Sequence, residues 1–324
     1  MSETLYWHLL AHSRLSPKER MEVLTAARTL DGETAHLTAW VEAGCPDVPD
    51  EVRTRLKQAF EASAQEAFVL EEVESQGMRI VPGRDPAYPK RLKRGLGKRT
   101  PVVLYLAGRN ELLSAPRTMA IIGSRDASPE ALEVTRRAAT YFAHKGYVLV
   151  SGNARGVDQT AEEAALEAGG SVVSVLPQGL LDKATATLVR KRNRALLDGQ
   201  VALISELHPK ARWQGRFAMM RNRLIVALAD FVLVSQTGLK ETTTYGKVTQ
   251  SGTWAGAEDA HGLGRRVFVL DLPIEGNKAL TRAFAEPLTV TPNNEMFSVL
   301  EAALQCPASA KPEAMLALTQ AKLL

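Results

Sequence analysis

The feature that most constrains this fold lies after residue 116, where short apolar runs alternate with longer amphipathic stretches. The runs are TMAIIG, YVLVSG, SVVSVL, VALISE, DFVLVS, RVFVLD and PLTV, and several are rich in β-branched residues. Between them lie sequences such as PEALEVTRRAATYFAHKG, in which Leu132, Thr135, Ala139 and Phe142 recur at helical spacing on one face. A strand that is apolar along its whole length is buried on both faces, which is the condition of a parallel sheet sandwiched between helices. Right-handed crossovers turn such a series into a doubly wound, Rossmann-like, mostly parallel sheet. The expected fold class is therefore α/β.

Upstream the pattern is different. Residues 1–76 carry no strand-like run and read as a small N-terminal helical domain. Ser16-Pro17 with Glu19 behind it is a helix cap and first turn. Pro49-Asp50 repeats the sign, and helical spacing continues from there to a stop at Gly77. Residues 77–116, rich in glycine, proline and basic side chains, read as a connecting segment leading into one short strand, VVLYLAG. Residues 117–300 are the expected Rossmann-like domain, and 301–324 a short C-terminal helix and tail.

Several function classes lose their usual signatures. No apolar run approaches the ~20 residues of a membrane helix, so no membrane partner is expected, and MSETLYWHLLAHSR lacks the layout of a signal peptide. Two distant cysteines, Cys45 and Cys306, argue against a disulfide framework or a cysteine-rich zinc site and fit the cytoplasm. The six histidines are scattered and form no HExxH pair, so no metal or other cofactor is expected. There is no G-x-x-x-x-G-K-[ST] phosphate loop, and no G-x-G-x-x-G follows the first strand of the sheet domain. A net charge of +4 is compatible with a polyanionic partner, but where the charge lies matters more than its total.

In an open parallel sheet the ligand sits beyond the carboxyl ends of the strands. The residues at the ends of the apolar runs are Gly123-Ser124-Arg125, then SGNARGVD with Ser151, Gly152, Asn153, Arg155 and Gly156, then PQGL, Glu206 and SQTG. Glycine lets backbone N–H groups approach an anion, and the following helix N-terminus adds aligned donors. Ser124 and Ser151 carry hydroxyl donors, and the guanidiniums of Arg125 and Arg155 suit two-pronged phosphate contacts. The plainer alternative makes the glycines tight turns and pairs Arg125 with an acid such as Asp158. Two further stretches join the list. In WQGRFAMMRNRLIVALAD, Arg216, Arg221 and Arg223 cluster around Phe217, a mixture that suits an unpaired strand because cations hold phosphates while a ring stacks on a base. The alternative is a core Phe217 beside solvated arginines. In SGTWAGAEDAHG, Ser251, Gly252 and Thr253 open a helix with the same anion logic, and Glu258 is a carboxylate with no evident partner for catalysis.

In their order and spacing these pieces resemble the DNA-processing protein A family, also called DprA or Smf, of bacterial transformation. The resemblance runs from about Gly77 to about residue 285. It is carried by Asp85, Tyr88-Pro89, Leu92, Pro101, Leu104 and Gly108, then by GSR at 123–125, SGNARGVD at 151–158, SEL at 205–207, F…RNRLI at 217–225 and SGT at 251–253. It implies a cytoplasmic, non-catalytic protein on an extended, dimerising Rossmann fold. Such a protein protects single-stranded DNA and helps load the RecA recombinase in natural transformation and recombination. It implies that Gly123, Ser124 and Arg125, with Ser151, Gly152 and Arg155, line a phosphate groove, beside Phe217, Arg221 and Arg223; Arg216 is added on charge alone. Two departures from the family pattern stand out. Glu162 or Glu163 occupies the region where a histidine is common, and SQTGLKETTTYGKVTQ inserts a long polar loop before SGT. The competing class is a nucleotide-binding sensor or nucleoside-phosphate hydrolase on a related fold, for which SGTWAGAE is a partial signature.

Overall fold

A computed structural model of the chain describes residues 1–28, 36–244 and 247–305. The chain divides into two compact units. One comprises Met1–Ser114 with Val175–Arg221, and the other Ala115–Ser174 with Asn222 onward.

The first unit opens with helices α1 (Glu3–His12), α2 (Pro17–Ala26), α3 (Leu37–Glu42), α4 (Asp50–Glu61) and α5 (Ser63–Ser75). Ser16 caps α2 in a reciprocal arrangement, accepting from the Glu19 amide while Glu19 accepts from the Ser16 amide. The pattern read as continuous from Pro49 to Gly77 is two helices, broken at Ala62. Strand β1 (Arg79–Pro82), helix α6 (Lys90–Leu96) and strand β2 (Val103–Gly108) follow. The connecting segment thus holds two strands and a helix where one strand is expected: β1 is short and opens on an arginine, so it lacks an apolar run long enough to read. Strand β1 pairs antiparallel with β2.

The chain then enters the second unit through β3 (Thr118–Ile122), α7 (Pro129–His144), β4 (Val148–Ser151), α8 (Val157–Glu167) and β5 (Ser171–Val175). It returns to the first unit with α9 (Lys183–Lys191), α10 (Asn193–Leu197) and β6 (Val201–Ser205), which pairs antiparallel with β2. Helix α11 (Gly215–Leu228) follows, and the division between units falls within it, after Arg221. The second unit is completed by β7 (Phe231–Val234), β8 (Glu241–Thr244), β9 (Lys247–Gln250), α12 (Gly252–Gly262), β10 (Arg266–Asp271), α13 (Glu275–Ala283), β11 (Glu286–Thr289) and α14 (Glu295–Gln305). The tail expected after the last helix lies outside the described residues.

All seven apolar runs are strands. In the second unit they lie in the order β5-β4-β3-β7-β10-β11 and every neighbouring pair is parallel. Ser128 caps α7 by accepting from the Ala131 amide, with Pro129 in the first turn, as the sequence suggests. Helix α7 lays Thr135, Ala138, Ala139 and Phe142 onto the sheet. The Phe142 ring meets those of Tyr147, Phe231 and Phe297 at centroid separations of 5.2–6.0 Å, so α7, α14 and the central strands share one apolar core. The polar stretch expected to be a loop before SGT folds as a two-stranded antiparallel ribbon, β8 with β9. Its threonines suit extended backbone, a local preference that overrides the lack of an apolar face.

The histidines are less scattered than the sequence suggests. His8, His12 and His208, all in the first unit, lie with ring centroids 4.9–5.5 Å apart.

Candidate nucleic-acid interface

The strand order has a switch point. From β3 the chain winds outward through β4 and β5, whereas β7, β10 and β11 lie on its other side. Loops leave adjacent strands in opposite directions at such a point and open a crevice beyond their carboxyl ends. Here those loops are Gly123–Ser128 after β3 and Ser235–Lys240 after β7, with Gly152–Gly156 after β4 alongside.

The three loops are tied together by hydrogen bonds from their backbone amides. Ser124 donates its amide to the Gln236 carbonyl at 2.8 Å, and Ser128 donates its amide to the Gln236 side-chain oxygen at 2.8 Å. Val157, the first residue of α8, donates its amide to the Ser124 carbonyl at 3.3 Å. Gly156 sits at φ +84°, and a Cβ there would stand 2.5 Å from the Ser124 oxygen and 2.6 Å from the Arg125 oxygen. A Cβ on Gly123 would fall 2.5 Å from a Val157 methyl. Both glycines are therefore required by loop-on-loop packing, with or without an anion.

That packing decides what the edge offers a ligand. The Asn153 amide donates to Glu162 at 2.9 Å and the Ala154 amide to Asp158 at 3.4 Å, both carboxylates buried. Glu162 also accepts from the Ser174 hydroxyl at 2.9 Å. The Ser151 hydroxyl, fully buried, donates to the Ile121 carbonyl at 3.1 Å. The Ser124 hydroxyl accepts from the Asp126 amide at 3.1 Å. The amides of Ser124, Asn153 and Ala154 and the hydroxyl of Ser151, among the groups expected from the sequence to meet an anion, here hold the loops in shape. Arg125 and Arg155 are exposed cations of this edge, one on each of two interlocked loops, and Lys240 ends the third loop, also exposed. Arg155 reaches Asp126 at 2.5 Å, both side chains more than two-thirds exposed. A pair so exposed contributes only ~0–1 kcal/mol, so a phosphate competes readily for the guanidinium.

Next to the β7 loop is the start of α12. Ser251 caps it, accepting from the Trp254 amide at 3.2 Å, and its hydroxyl lies 3.3 Å from that of Thr237. Gly252 accepts from the Asn222 side chain at 3.0 Å, which brings in α11 beside the half-buried Arg223. In the first unit's part of the same helix, Arg216 is exposed with its guanidinium 4.8 Å from the centre of the half-buried Phe217 ring, and Arg221 is buried. Glu258 does have a partner. Lys240 stands 2.8 Å away, and that hydrogen bond holds the carboxyl below its ordinary pKa, the opposite of what a general acid needs. Asp126, Gln236, Glu162 and Asn222 shape this edge, though none of them is among the site residues expected from the sequence. The only sequence signal for Asp126 is its place directly after Gly-Ser-Arg.

The family model described as DNA recombination-mediator protein A matches residues 79–296, well over half of the chain. The chain belongs to this family. Curated relatives include the DNA processing protein DprA of Bacillus subtilis, 30% identical over 62% of this chain and 63% of that protein. Protein Smf of Borreliella burgdorferi is 30% identical over 60% of this chain and 57% of that protein. The chain therefore spans about three-fifths of the length of these relatives. Among solved structures, DprA from Streptococcus pneumoniae superposes with a TM-score of 0.68 over 92% of this chain and 98% of that one, at 24% identity. DprA from Helicobacter pylori, whose structure was determined for its mode of single-stranded DNA binding, gives 0.54 over 69% of this chain and 96% of that one, also at 24% identity. These likenesses establish the Rossmann-like fold. Among the described residues no helix is long and apolar enough to cross a membrane.

Proposed function

We propose that this member of the DNA-processing family binds single-stranded DNA along the carboxyl edge of its parallel sheet. Arg125 and Arg155 hold successive phosphates; Phe217 with Arg216 and Arg223 also contacts the strand, and the buried Arg221 belongs to the helix that carries them. Gly123, Ser124, Ser151, Gly152, Asn153 and Gly156 act as the scaffold of the two arginine loops, and Ser251, Gly252 and Thr253 present the start of α12. The observation that carries this reading is the interlock at Gly156. It fixes two exposed guanidiniums on adjacent loops at the switch point of the sheet, where this architecture places ligands. Exposed side-chain cations on separate loops suit a polymer held loosely at many phosphates.

The reading extends to the role the family resemblance implies: a cytoplasmic homodimer, without catalysis of its own, that protects single strands during DNA uptake and recombination and helps load RecA. The test is a gel shift comparing single- and double-stranded oligonucleotides, followed by addition of RecA to the complex. Preference for the single strand, and faster RecA filament formation on it, support the proposal. Equal affinity for duplex, or no effect on RecA, refutes the corresponding part. Release of free base from nucleoside monophosphates would favour a hydrolase instead.

A further inference from the structure

In the first unit, three groups from separate elements converge. His8 of α1 points its Nε2 at Glu66 Oε2 of α5 at 2.7 Å. His208, in the segment after β6, points its Nε2 at the same oxygen at 2.9 Å. The three ligand atoms all lie within 4.8 Å of one another. Behind His8, its Nδ1 meets the hydroxyl of the fully buried Tyr105 at 2.6 Å, and that hydroxyl meets His12 Nε2 at 2.8 Å. His8, His12 and Glu66 also line a cavity of about 520 Å³, together with Ser13, Arg14 and Arg55.

We propose that His8, Glu66 and His208 form a binding site for a divalent transition ion of the zinc class. Two imidazole nitrogens and one carboxylate oxygen are a recurrent zinc ligand set whose fourth position is left to water. A tetrahedral ion ~2.0–2.2 Å from each ligand needs ligand atoms ~3.3–3.6 Å apart. The carboxylate therefore draws back slightly from the two imidazoles as the ion enters between them. The cavity bordering His8 and Glu66 has room for the water.

The hydrogen bonds behind the ligands accommodate the change. Without the ion, each Nε2–H donates to Glu66, and Tyr105 donates to His8 Nδ1 while accepting from His12. With the ion on Nε2, the His8 proton moves to Nδ1 and donates to Tyr105, which turns to donate to His12 Nε2 as the His12 proton moves to its own Nδ1. No partner in that chain is lost, and a ligating histidine held through its second nitrogen is a regular feature of metal centres. His208 gives up one 3.2 Å bond accepted from the Lys210 amide, at an exposed position. A bound ion would crosslink α1, α5 and the segment after β6 within this unit. Its role is structural and independent of the DNA reading.

The experiment uses the full chain stripped with chelator and checked for folding by circular dichroism. Zinc uptake is measured by competition with a chromophoric chelator and by elemental analysis. Cobalt(II) serves as an absorbing probe. The expected result is one equivalent per chain, tetrahedral cobalt bands, a raised melting temperature, and at least a ~10-fold loss of affinity in Glu66→Gln and in His208→Asn. Folded wild-type protein that takes up no zinc at micromolar concentration overturns the proposal. So do variants that bind as the wild type does. Should both variants misfold, diethyl pyrocarbonate labelling of the wild type decides. Zinc must protect the partly exposed His208 and leave the exposed His144 reactive, and unchanged labelling of His208 overturns the assignment.

Discussion

Gly156→Ala tests whether the two arginine loops act as one body. The backbone there sits at φ +84° and ψ −124°, a region that belongs almost entirely to glycine. Holding an alanine in it costs ~1–3 kcal/mol. The new methyl would also lie 2.5 and 2.6 Å from two backbone carbonyl oxygens, where ordinary contact begins at 3.4 Å. Relieving an overlap of that size against backbone costs a further ~1–3 kcal/mol. The sum, ~2–6 kcal/mol, is a large fraction of the ~5–15 kcal/mol typical of a folded domain. The loop after β3 must retreat, and Arg125 moves away from Arg155. Gly169→Ala is the control. Its φ is +76° but nothing lies within 4 Å of the added methyl, so only the ~1–2 kcal/mol cost of left-handed backbone applies. Urea unfolding measures the first effect, and fluorescence anisotropy of labelled oligo-dT the second. Gly156→Ala should lose more stability than Gly169→Ala and should also bind oligo-dT more weakly, whereas Gly169→Ala should bind normally. Equal stability losses in the two variants, or undiminished oligo-dT affinity in Gly156→Ala, would refute the interlock.

The same geometry sets further outcomes. Arg125→Ala and Arg155→Ala should each weaken oligo-dT binding and lower the slope of log K against log salt by ~0.7 in magnitude, read from a salt titration. Asp126→Asn should strengthen binding by freeing Arg155 from its carboxylate partner, with a stability change within ~0.5 kcal/mol; unchanged affinity would mean that Arg155 does not meet DNA. Phe217→Ala should cost ~1–3 kcal/mol of oligo-dT affinity, and full affinity with a lowered melting temperature would make the ring a packing residue. Glu19 is held at a pKa of about 2 by hydrogen bonds from Arg55 and from the Ser16 backbone, against an ordinary value of 4.5. A depressed carboxylate stabilises the fold above its unfolded pKa and loses that contribution as pH falls through the folded one. The stability difference between wild type and Glu19→Gln should therefore be constant above pH 4.5 and shrink between 4.5 and about 2, followed by unfolding at stepped pH.

The sheet was legible because its strands are apolar end to end, and the helix starts because Ser16, Ser128 and Ser251 are short-range signals. The edge was legible as a list of residues and not as a mechanism. Gly-Ser-Arg and SGNARG mark the loops, but whether a glycine faces a phosphate or a neighbouring carbonyl depends on a contact between Gly156 and Ser124, which are far apart in sequence. Pairing across such distances has no local signature, and neither does the partnership of Arg155 with Asp126. His8 and His12 share a helix face four residues apart, a readable hint, but His208 joins them only through the fold of its unit. The ribbon escaped notice because polar threonine-rich sequence reads equally as loop.

At the foot of that ribbon the Ser251 amide donates to the Lys240 carbonyl at 3.0 Å, so the chain leaves and returns at almost the same point. Strands β8 and β9 thus belong to a closed excursion. Splicing Lys240 directly to Ser251 would preserve the cap of α12 and the neighbouring loops, and would mark the excursion as a module that can be gained or shed without rebuilding the sheet.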